Sequence, residues 1–196
     1  MGMIFLTSNA ATVIKDVIKH LSKSPKEMKL VFIMTAAEGD GGNQQWLKED
    51  RDTLRSVGFS VTDYTLRDKT ESDVRKDLSD FDVIFFSGGN TFYLLEKIQQ
   101  SNSKAFFKEQ IEKGVIYIGS SAGSVVAGPS IEVVKKLDAQ EKAPHLKGFA
   151  GLALVDFTVL PHWGSKYFKD LYLNQRLEHA YSMDNKLILL TDKQYV

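Results

Sequence analysis

Residues 115–128 read VIYIGSSAGSVVAG, which is a continuously apolar run, a turn of small residues and the start of a second apolar stretch. The apolar run is typical of a β-strand that is covered on both faces, as in a parallel sheet. The turn fits the pattern G-x-S-x-G, in which a serine occupies a tight bend between a strand and a helix. The stretch therefore predicts an α/β fold in which the Ser121 hydroxyl projects above the carboxyl edge of the sheet, where it could act as a nucleophile.

Apolar runs of strand length alternate with helix-period stretches along the rest of the chain. Val13, Val17 and Leu21 recur with helical spacing in one such stretch. The tetrapeptide TESD at residues 70–73 is typical of a capping box that begins a helix. Repeated strand–helix units predict one three-layer α/β domain over residues 1–196, with a mostly parallel sheet flanked by helices. Strands are predicted at residues 3–7, 30–35, 60–64, 83–87, 115–119, 157–160 and 187–191.

The segment at residues 130–151 fits neither a strand pattern nor a helix pattern. It contains a charged run at residues 135–142, and Pro144 and His145 follow shortly afterwards. We expect this segment to be a long excursion on the surface of the protein, because charged runs are usually solvated.

The composition excludes several classes of protein. The 196 residues include 25 Lys and Arg against 25 Asp and Glu, and no Cys. Zero net charge argues against nucleic acid or an anionic membrane as the main partner. The lack of Cys excludes disulfides, thiolate metal sites and a cysteine nucleophile. The apolar run at residues 3–6 is too short for a signal peptide or a membrane span, so we expect a cytoplasmic protein.

A second glycine-containing turn, SGGNT at residues 87–91, follows the predicted strand at residues 83–87. Adjacent glycines let the backbone approach a ligand closely and can direct successive N–H groups into one concavity. Gly88 and Gly89 could therefore bind a phosphate or form part of an oxyanion hole. Asn90 is a candidate helix cap and a candidate substrate contact.

A serine nucleophile needs a general base, and the chain has four histidines. His162 is the favoured candidate because it follows the strand at residues 157–160, at the sheet edge where functional loops of open α/β sheets lie. A carboxylate must then orient the imidazole. Asp192, after the strand at residues 187–191, is favoured for this role, and Asp138 is the alternative. Such a site needs neither a metal nor an organic cofactor, and we expect none.

The stretches YIGSSAGSVVAGPSI, FFSGGNTFYLL and VLPHW together resemble the peptidase E, or aspartyl dipeptidase, family of serine peptidases, which is related to cyanophycinase. The resemblance implies a fold similar to that of the class I glutamine amidotransferases. It also implies Ser121 as the nucleophile and His162 as the base. For the acid it implies Asp192, with Asp138 as a further candidate.

The resemblance further implies an oxyanion hole and a substrate class. The N–H groups of the oxyanion hole would come from Ala122 and from one of the two glycines in the SGGNT turn. The substrates would be short peptides, with an acidic N-terminal residue preferred as in the family. Arg176, in the segment after the family histidine, is the candidate for a contact with such a substrate.

Two other functions are compatible with the same residues. The first is a hydrolase or acyl transferase that uses the same serine on a non-peptide ester or amide. The second is a non-catalytic α/β module that binds phosphate through the SGGNT turn, with the serine turn left without a function.

Overall fold

The computed structural model describes residues 2–41, 44–135, 138–173 and 186–196. Its strands are β1 (Ile4–Thr7), β2 (Lys29–Ile33), β3 (Ser60–Tyr64), β4 (Val83–Phe86), β5 (Ile116–Ser120), β6 (Thr158–Leu160) and β7 (Leu187–Leu189). The first five form a parallel sheet in the order β1-β5-β4-β2-β3, and β6 and β7 form a separate parallel pair. The α/β class predicted from the sequence, with a mostly parallel sheet flanked by helices, is confirmed.

Helices cover the central sheet on both faces. The helices of the described residues are α1 (Ala10–Val17), α2 (Thr35–Asp40), α3 (Gln45–Ser56), α4 (Glu71–Leu78), α5 (Thr91–Gln100), α6 (Lys104–Glu112), α7 (Ala122–Val126) and α8 (Lys169–Leu171). Phe32 stacks on Phe85 at 4.9 Å between ring centroids in one apolar cluster, and Phe86 stacks on Tyr117 at 5.4 Å in the other. Because neighbouring strand residues point to opposite faces, β4 is buried on both sides, as its apolar sequence predicts.

Helix α4 begins at the predicted capping box. The Thr70 hydroxyl accepts a hydrogen bond from Asp73 N, and the Asp73 carboxylate accepts one from Thr70 N. Two N–H groups that a helix start leaves without partners are thereby satisfied. None of the helices in the described ranges is both long enough and apolar enough to cross a membrane.

The segment at residues 130–151 is only in part the surface excursion that the sequence suggested, because most of its described residues from 138 to 150 are exposed or half-buried. Ile131, Val133 and Val134 are buried in the main apolar cluster, and Ala143 joins them. A β-bridge between Ser130 and Ala150 closes the base of the segment. The expectation was wrong for the first part of the segment, where a short run of apolar side chains before the charged residues packs against the core.

The C-terminal residues pair with β1, the edge strand of the central sheet. Leu6 N donates to Val196 O at 2.8 Å, and Val196 N donates to Leu6 O at 3.0 Å. The pairing satisfies backbone groups of an edge that would otherwise be open. It also brings Asp192 close to the residue that follows β1.

Helix α7 packs so closely on the sheet that its second residue must be a glycine. A Cβ atom on Gly123 would lie 2.2 Å from Phe86 O of β4, far inside a van der Waals contact. We expect Gly123→Ala to lower the free energy of unfolding by about 3 kcal/mol or more, because backbone would have to move. Urea denaturation measures the change.

Gly148→Ala is the matched control for this substitution. Gly148 has a φ of 77° and open space around its Cα, so only backbone strain of about 1–2 kcal/mol opposes an added methyl group. Equal losses in the two variants would contradict the steric explanation for Gly123.

Candidate active site

Ser121 lies at the tight turn between β5 and α7. Its backbone has φ 50° and ψ −109°, a conformation that residues other than glycine rarely adopt. The turn is possible only because glycines occupy the positions two residues before and two residues after Ser121. A Cβ on Gly119 would lie 2.6 Å from Gly123 O, and a Cβ on Gly123 would meet Phe86 O. The G-x-S-x-G pattern thus has a steric origin, and the serine is the residue that projects from it.

Ser121, His162 and Asp192 form a continuous chain of hydrogen bonds. Ser121 Oγ lies 2.9 Å from His162 Nε2, and His162 Nδ1 lies 2.7 Å from Asp192 Oδ1. An ionised Asp192 can only accept, so Nδ1 carries a proton and Nε2 accepts the hydroxyl proton of Ser121. The hydrogen bond from His162 lowers the pKa of the Asp192 carboxyl, although partial burial opposes this, and Asp192 therefore remains ionised.

The His162 ring is held in place from several directions. Its backbone has a φ of 62°, in the left-handed region that residues other than glycine rarely adopt. Phe168 stacks on the imidazole at 4.6 Å between ring centroids, with the two rings nearly parallel. Trp163 N donates to Leu190 O, and this bond joins the segments that follow β6 and β7. The imidazole is therefore oriented before any ligand binds.

Ser8 is the residue of this network that sequence reasoning missed. It follows β1, is only 1% exposed, and accepts a hydrogen bond from His162 N at 2.7 Å. Its hydroxyl donates to Asp192 Oδ1 at 2.7 Å, which also lowers the pKa of that carboxyl. A polar residue directly after a strand, at the edge that carries Ser121, is the signal that could have found it.

Gly88, Gly89 and Ala122 line the same cavity as Ser121. A Cβ on Gly88 would lie 3.3 Å from Ser121 Cβ, so the SGGNT turn approaches the serine closely. Gly89 has a φ of 125°, and a Cβ there would fall 2.3 Å from Ala36 O. Ala122 is the first residue of α7, where N–H groups have no acceptor within the helix. The two segments bring backbone N–H groups close to the serine.

Asp138 and Asn90 have other partners in this structure. Asp138 Oδ2 accepts a hydrogen bond from Thr91 N at 2.7 Å, at the start of α5, whereas the Nδ1 atom of His162 is bonded to Asp192. The Asn90 side chain caps α5 through Tyr93 N and donates to the backbone at residue 139. Asn90 is 2% exposed and does not line the cavity, so the predicted substrate contact has no accessible surface. Arg176 lies outside the described residues.

The position of Asp138 also bears on the phosphate-binding hypothesis. A phosphate bound at the SGGNT turn would need the N–H groups at the start of α5. One of these groups, Thr91 N, already donates to the Asp138 carboxylate. A bound phosphate would have to displace this carboxylate or lie beside it, and two anions repel each other at such a distance. The turn is therefore poorly suited to bind phosphate.

The cavity above Ser121 has a volume of about 570 Å³. Trp46, Phe168 and Tyr172 give it an aromatic wall, and His162 lies at one side. A volume of this size suits a small ligand. The serine and the imidazole are therefore accessible from a space that can hold a short peptide.

A serine on a strand-to-helix bend, bonded to a histidine that is bonded to a carboxylate, is the arrangement found in α/β serine hydrolases. Residues 4–196 match Peptidase family S51, and the chain belongs to this family. The protein is accordingly a serine peptidase.

Individual relatives agree with this assignment. The chain is 30% identical over 183 residues to an uncharacterized peptidase of Listeria monocytogenes, covering 92% of this chain and 87% of the relative. It is 29% identical over 147 residues to a "Probable alpha-aspartyl dipeptidase" of Drosophila melanogaster, covering 74% and 57% respectively. A crystal structure described as a "Putative Peptidase E Protein" from Listeria monocytogenes superposes with a TM-score of 0.89 at 27% identity, covering 100% of this chain and 93% of the other.

Because Ser8 donates a hydrogen bond to Asp192, we expect a substitution of Ser8 to change the pKa of the Asp192 carboxyl. Ser8→Ala removes a donor to the carboxylate, so the pKa of Asp192 should rise towards its usual range. A ¹³C NMR titration of the Asp carboxyl groups measures this pKa, with Asp192→Asn used to assign the resonance. Ser165→Ala, in the same cavity, is the control that should leave it unchanged.

The same lowered pKa gives the pH dependence of stability. The folded protein binds a proton at Asp192 less readily than the unfolded chain, so Asp192 stabilises the fold fully at pH values above its unfolded pKa. This contribution should disappear as the pH falls through the lower folded pKa. Urea denaturation of wild type and Asp192→Asn between about pH 5 and pH 2 tests this. A difference between them that does not change with pH would contradict it.

Proposed function

We propose that this peptidase cleaves short peptides through an acyl-enzyme formed on Ser121, with His162 as general base and Asp192 as the group that orients it. The observation that carries the proposal is the continuous hydrogen-bonded chain from Ser121 Oγ through the imidazole to Asp192, at 2.9 and 2.7 Å. The first distance is within the range that proton transfer requires, and the second is that of a hydrogen bond that orients the imidazole. The serine also lies at a cavity that can hold the substrate.

The reaction begins with attack by Ser121 Oγ on the peptide carbonyl carbon. The hydroxyl proton passes to His162 Nε2, and the imidazolium that forms is stabilised by the Asp192 carboxylate. The tetrahedral intermediate then expels the amine as the C–N bond breaks, and Nε2 returns its proton to the amine nitrogen. An ester on Ser121 remains, and the first product leaves.

Hydrolysis of this ester repeats the same proton transfers with water as the nucleophile. His162 Nε2 accepts a proton from water as the water oxygen attacks the ester carbonyl. The C–O bond to Ser121 then breaks, and the proton returns to the serine oxygen. The acid product leaves, and the site is restored without a net change in its own protonation.

The oxyanion of each intermediate requires N–H donors that already face it. We assign these donors to Ala122 and to the Gly88–Gly89 turn. The close approach of Gly88 to Ser121 supports the assignment, as does the position of Ala122 at the first turn of α7. Donors of this kind stabilise developing charge by about 3–4 kcal/mol each in acyl transfer.

Short peptides are the substrate class that the cavity and the relatives support. The cavity volume of about 570 Å³ suits a molecule with the size of a dipeptide or tripeptide. One relative is named "Probable alpha-aspartyl dipeptidase", and this name supports dipeptidase activity here as well. The preference for an acidic N-terminal residue stays a prediction from the family resemblance, and no Lys or Arg is present among the described residues that line the cavity.

Covalent labelling tests the nucleophile directly. A fluorophosphonate probe should modify wild type at Ser121, and mass spectrometry of the tryptic peptide identifies the site. Ser121→Ala should remain unlabelled and should hydrolyse dipeptides about 10⁴- to 10⁶-fold more slowly. A folded wild-type protein that resists the probe would refute the acyl-enzyme mechanism, and cleavage of p-nitrophenyl acetate alone would favour the ester hydrolase alternative.

A matched pair of substitutions distinguishes the two candidates for the acid of the triad, Asp192 and Asp138. Asp192→Asn should lower kcat by about 10⁴-fold, because an amide at this position favours the wrong imidazole tautomer. Asp138→Asn removes the same charge from the same cavity but leaves the imidazole contact intact, so kcat should change far less. Steady-state kinetics with one dipeptide compares them. A large loss confined to Asp138→Asn would assign the acid to Asp138.

A further inference from the structure

Asp50 is a buried carboxylate at the cavity that the proposed mechanism does not use. It lies on α3, is 5% exposed, and belongs to the residues that line the cavity with Ser121. Burial raises its pKa to about 6, although hydrogen bonds from Ala11 N and the Ser120 hydroxyl lower it. An ionised carboxylate is costly to bury, so a residue of this kind at a ligand site indicates a role towards the ligand.

The contacts of Asp50 place it close to the reacting serine. Asp50 Oδ1 accepts a hydrogen bond from Ala11 N at 2.9 Å, in the first turn of α1. Ser120, the neighbour of Ser121, is held by Ala10 N at 3.2 Å in the same turn. The carboxylate therefore lies beside the bend that carries the serine.

The described lining of the cavity supplies no cation to pair with Asp50. Its other carboxylates raise the negative charge further, and among the described lining residues there is neither Lys nor Arg. Among the described lining groups, His162 is the one that can become positive, and its charge lowers the pKa of Asp50, whereas Glu49 raises it. The carboxylates of the lining are Asp40, Glu49, Asp50, Asp138 and Asp192.

We propose that Asp50 is a specificity-determining residue that binds an ammonium group of the peptide substrate next to the scissile bond. The inference rests on the proposed function of Ser121. An ammonium group would give the buried carboxylate the counter-charge that the described protein groups do not provide. It could be the α-ammonium of an N-terminal residue or the side-chain ammonium of a lysine, and both have the same chemistry.

The aromatic wall and the charge of the cavity fit such a ligand. The Trp46 ring lies against the SGGNT turn, 3.5 Å from where a Cβ on Gly88 would be, and it lines the same space. An indole face attracts a cation in addition to the carboxylate. An acidic side chain would instead approach several carboxylates. The site therefore favours a basic or neutral N-terminal residue over an acidic one, which is opposite to the preference that the family resemblance implies.

Peptide pairs that differ only in charge test the proposal on wild type. Ala-Ala should have a kcat/KM at least about tenfold above that of N-acetyl-Ala-Ala if the α-ammonium is bound. N-acetyl-Lys-Ala should exceed N-acetyl-Ala-Ala by a similar factor if the lysine side chain is bound. Lys-Ala should exceed Asp-Ala in either case. Equal rates within both of the first two pairs, or a higher rate for Asp-Ala than for Lys-Ala, would overturn the proposal.

Asp50→Asn identifies the group that recognises the charge. Asparagine keeps an oxygen that can accept from Ala11 N, so the substitution removes the charge and retains this contact. We expect kcat/KM for the cationic peptides to fall by about ten- to a hundredfold, mainly through KM, while the neutral peptide changes little. Asp52→Asn, an exposed charge change on the same helix, is the control that should leave all rates unchanged. Equal losses for cationic and neutral peptides would show a merely structural role and overturn the proposal.

Binding measurements keep this inference separate from the proposed mechanism. Calorimetric titration of Ser121→Ala with the same peptides reports affinity without turnover, and adding Asp50→Asn should remove the preference for the cationic peptide. A preference that persists in the double variant would refute the role of Asp50, even if Ser121 is the nucleophile. Failure of fluorophosphonate labelling would refute the mechanism, and the calorimetric comparison would still decide the role of Asp50.

Discussion

The backbone bend at Ser121 is the constraint on which the rest of the site depends. The bend that holds its positive φ has a glycine two positions away on either side, at Gly119 and Gly123, where the backbone of α7 and of β4 approaches too closely for a Cβ. The packing of the helix on the sheet therefore offsets the energetic cost of the strained backbone at Ser121. A serine held in this way presents its hydroxyl in one direction. The fold then has only to place the imidazole within hydrogen-bond distance of that hydroxyl, and the carboxylate within the same distance of the imidazole.

Two sets of backbone pairing bring His162 and Asp192 close to Ser121: the pairing of β6 with β7, and that of the C-terminal residues with β1. His162 follows β6 and Asp192 follows β7, and the parallel pairing of these strands brings the two residues to the same end. The C-terminal residues then pair with β1 in the central sheet, which places Ser8 between the histidine backbone and the carboxylate. The geometry of the hydrogen-bonded chain from Ser121 to Asp192 is therefore a consequence of strand register, and side-chain contacts refine it.

The cavity also has a negatively charged lining, which does not depend on the bend at Ser121. Buried Asp50 and the other carboxylates make the described lining anionic, although the chain as a whole carries equal numbers of acidic and basic residues. A neutral protein can thus hold a strongly charged site, because net charge describes the surface average and a cavity concentrates its own groups. The serine would supply the reaction, and the charge of the cavity would select the substrate.

The sequence by itself determined the strand positions, the α/β class and the bend at Ser121, because these features depend on local periodicity and on residues without side-chain bulk. It also led to His162 and Asp192, since each follows a predicted strand. Ser8 carries only a weak local signal, as a polar residue directly after a strand, and Asp50 carries none, because it is one of several acids in a polar helix. Their positions, and the burial of Ile131 in a charged segment, were decided only by the tertiary structure, because strand order and packing bring together residues that are far apart in the chain.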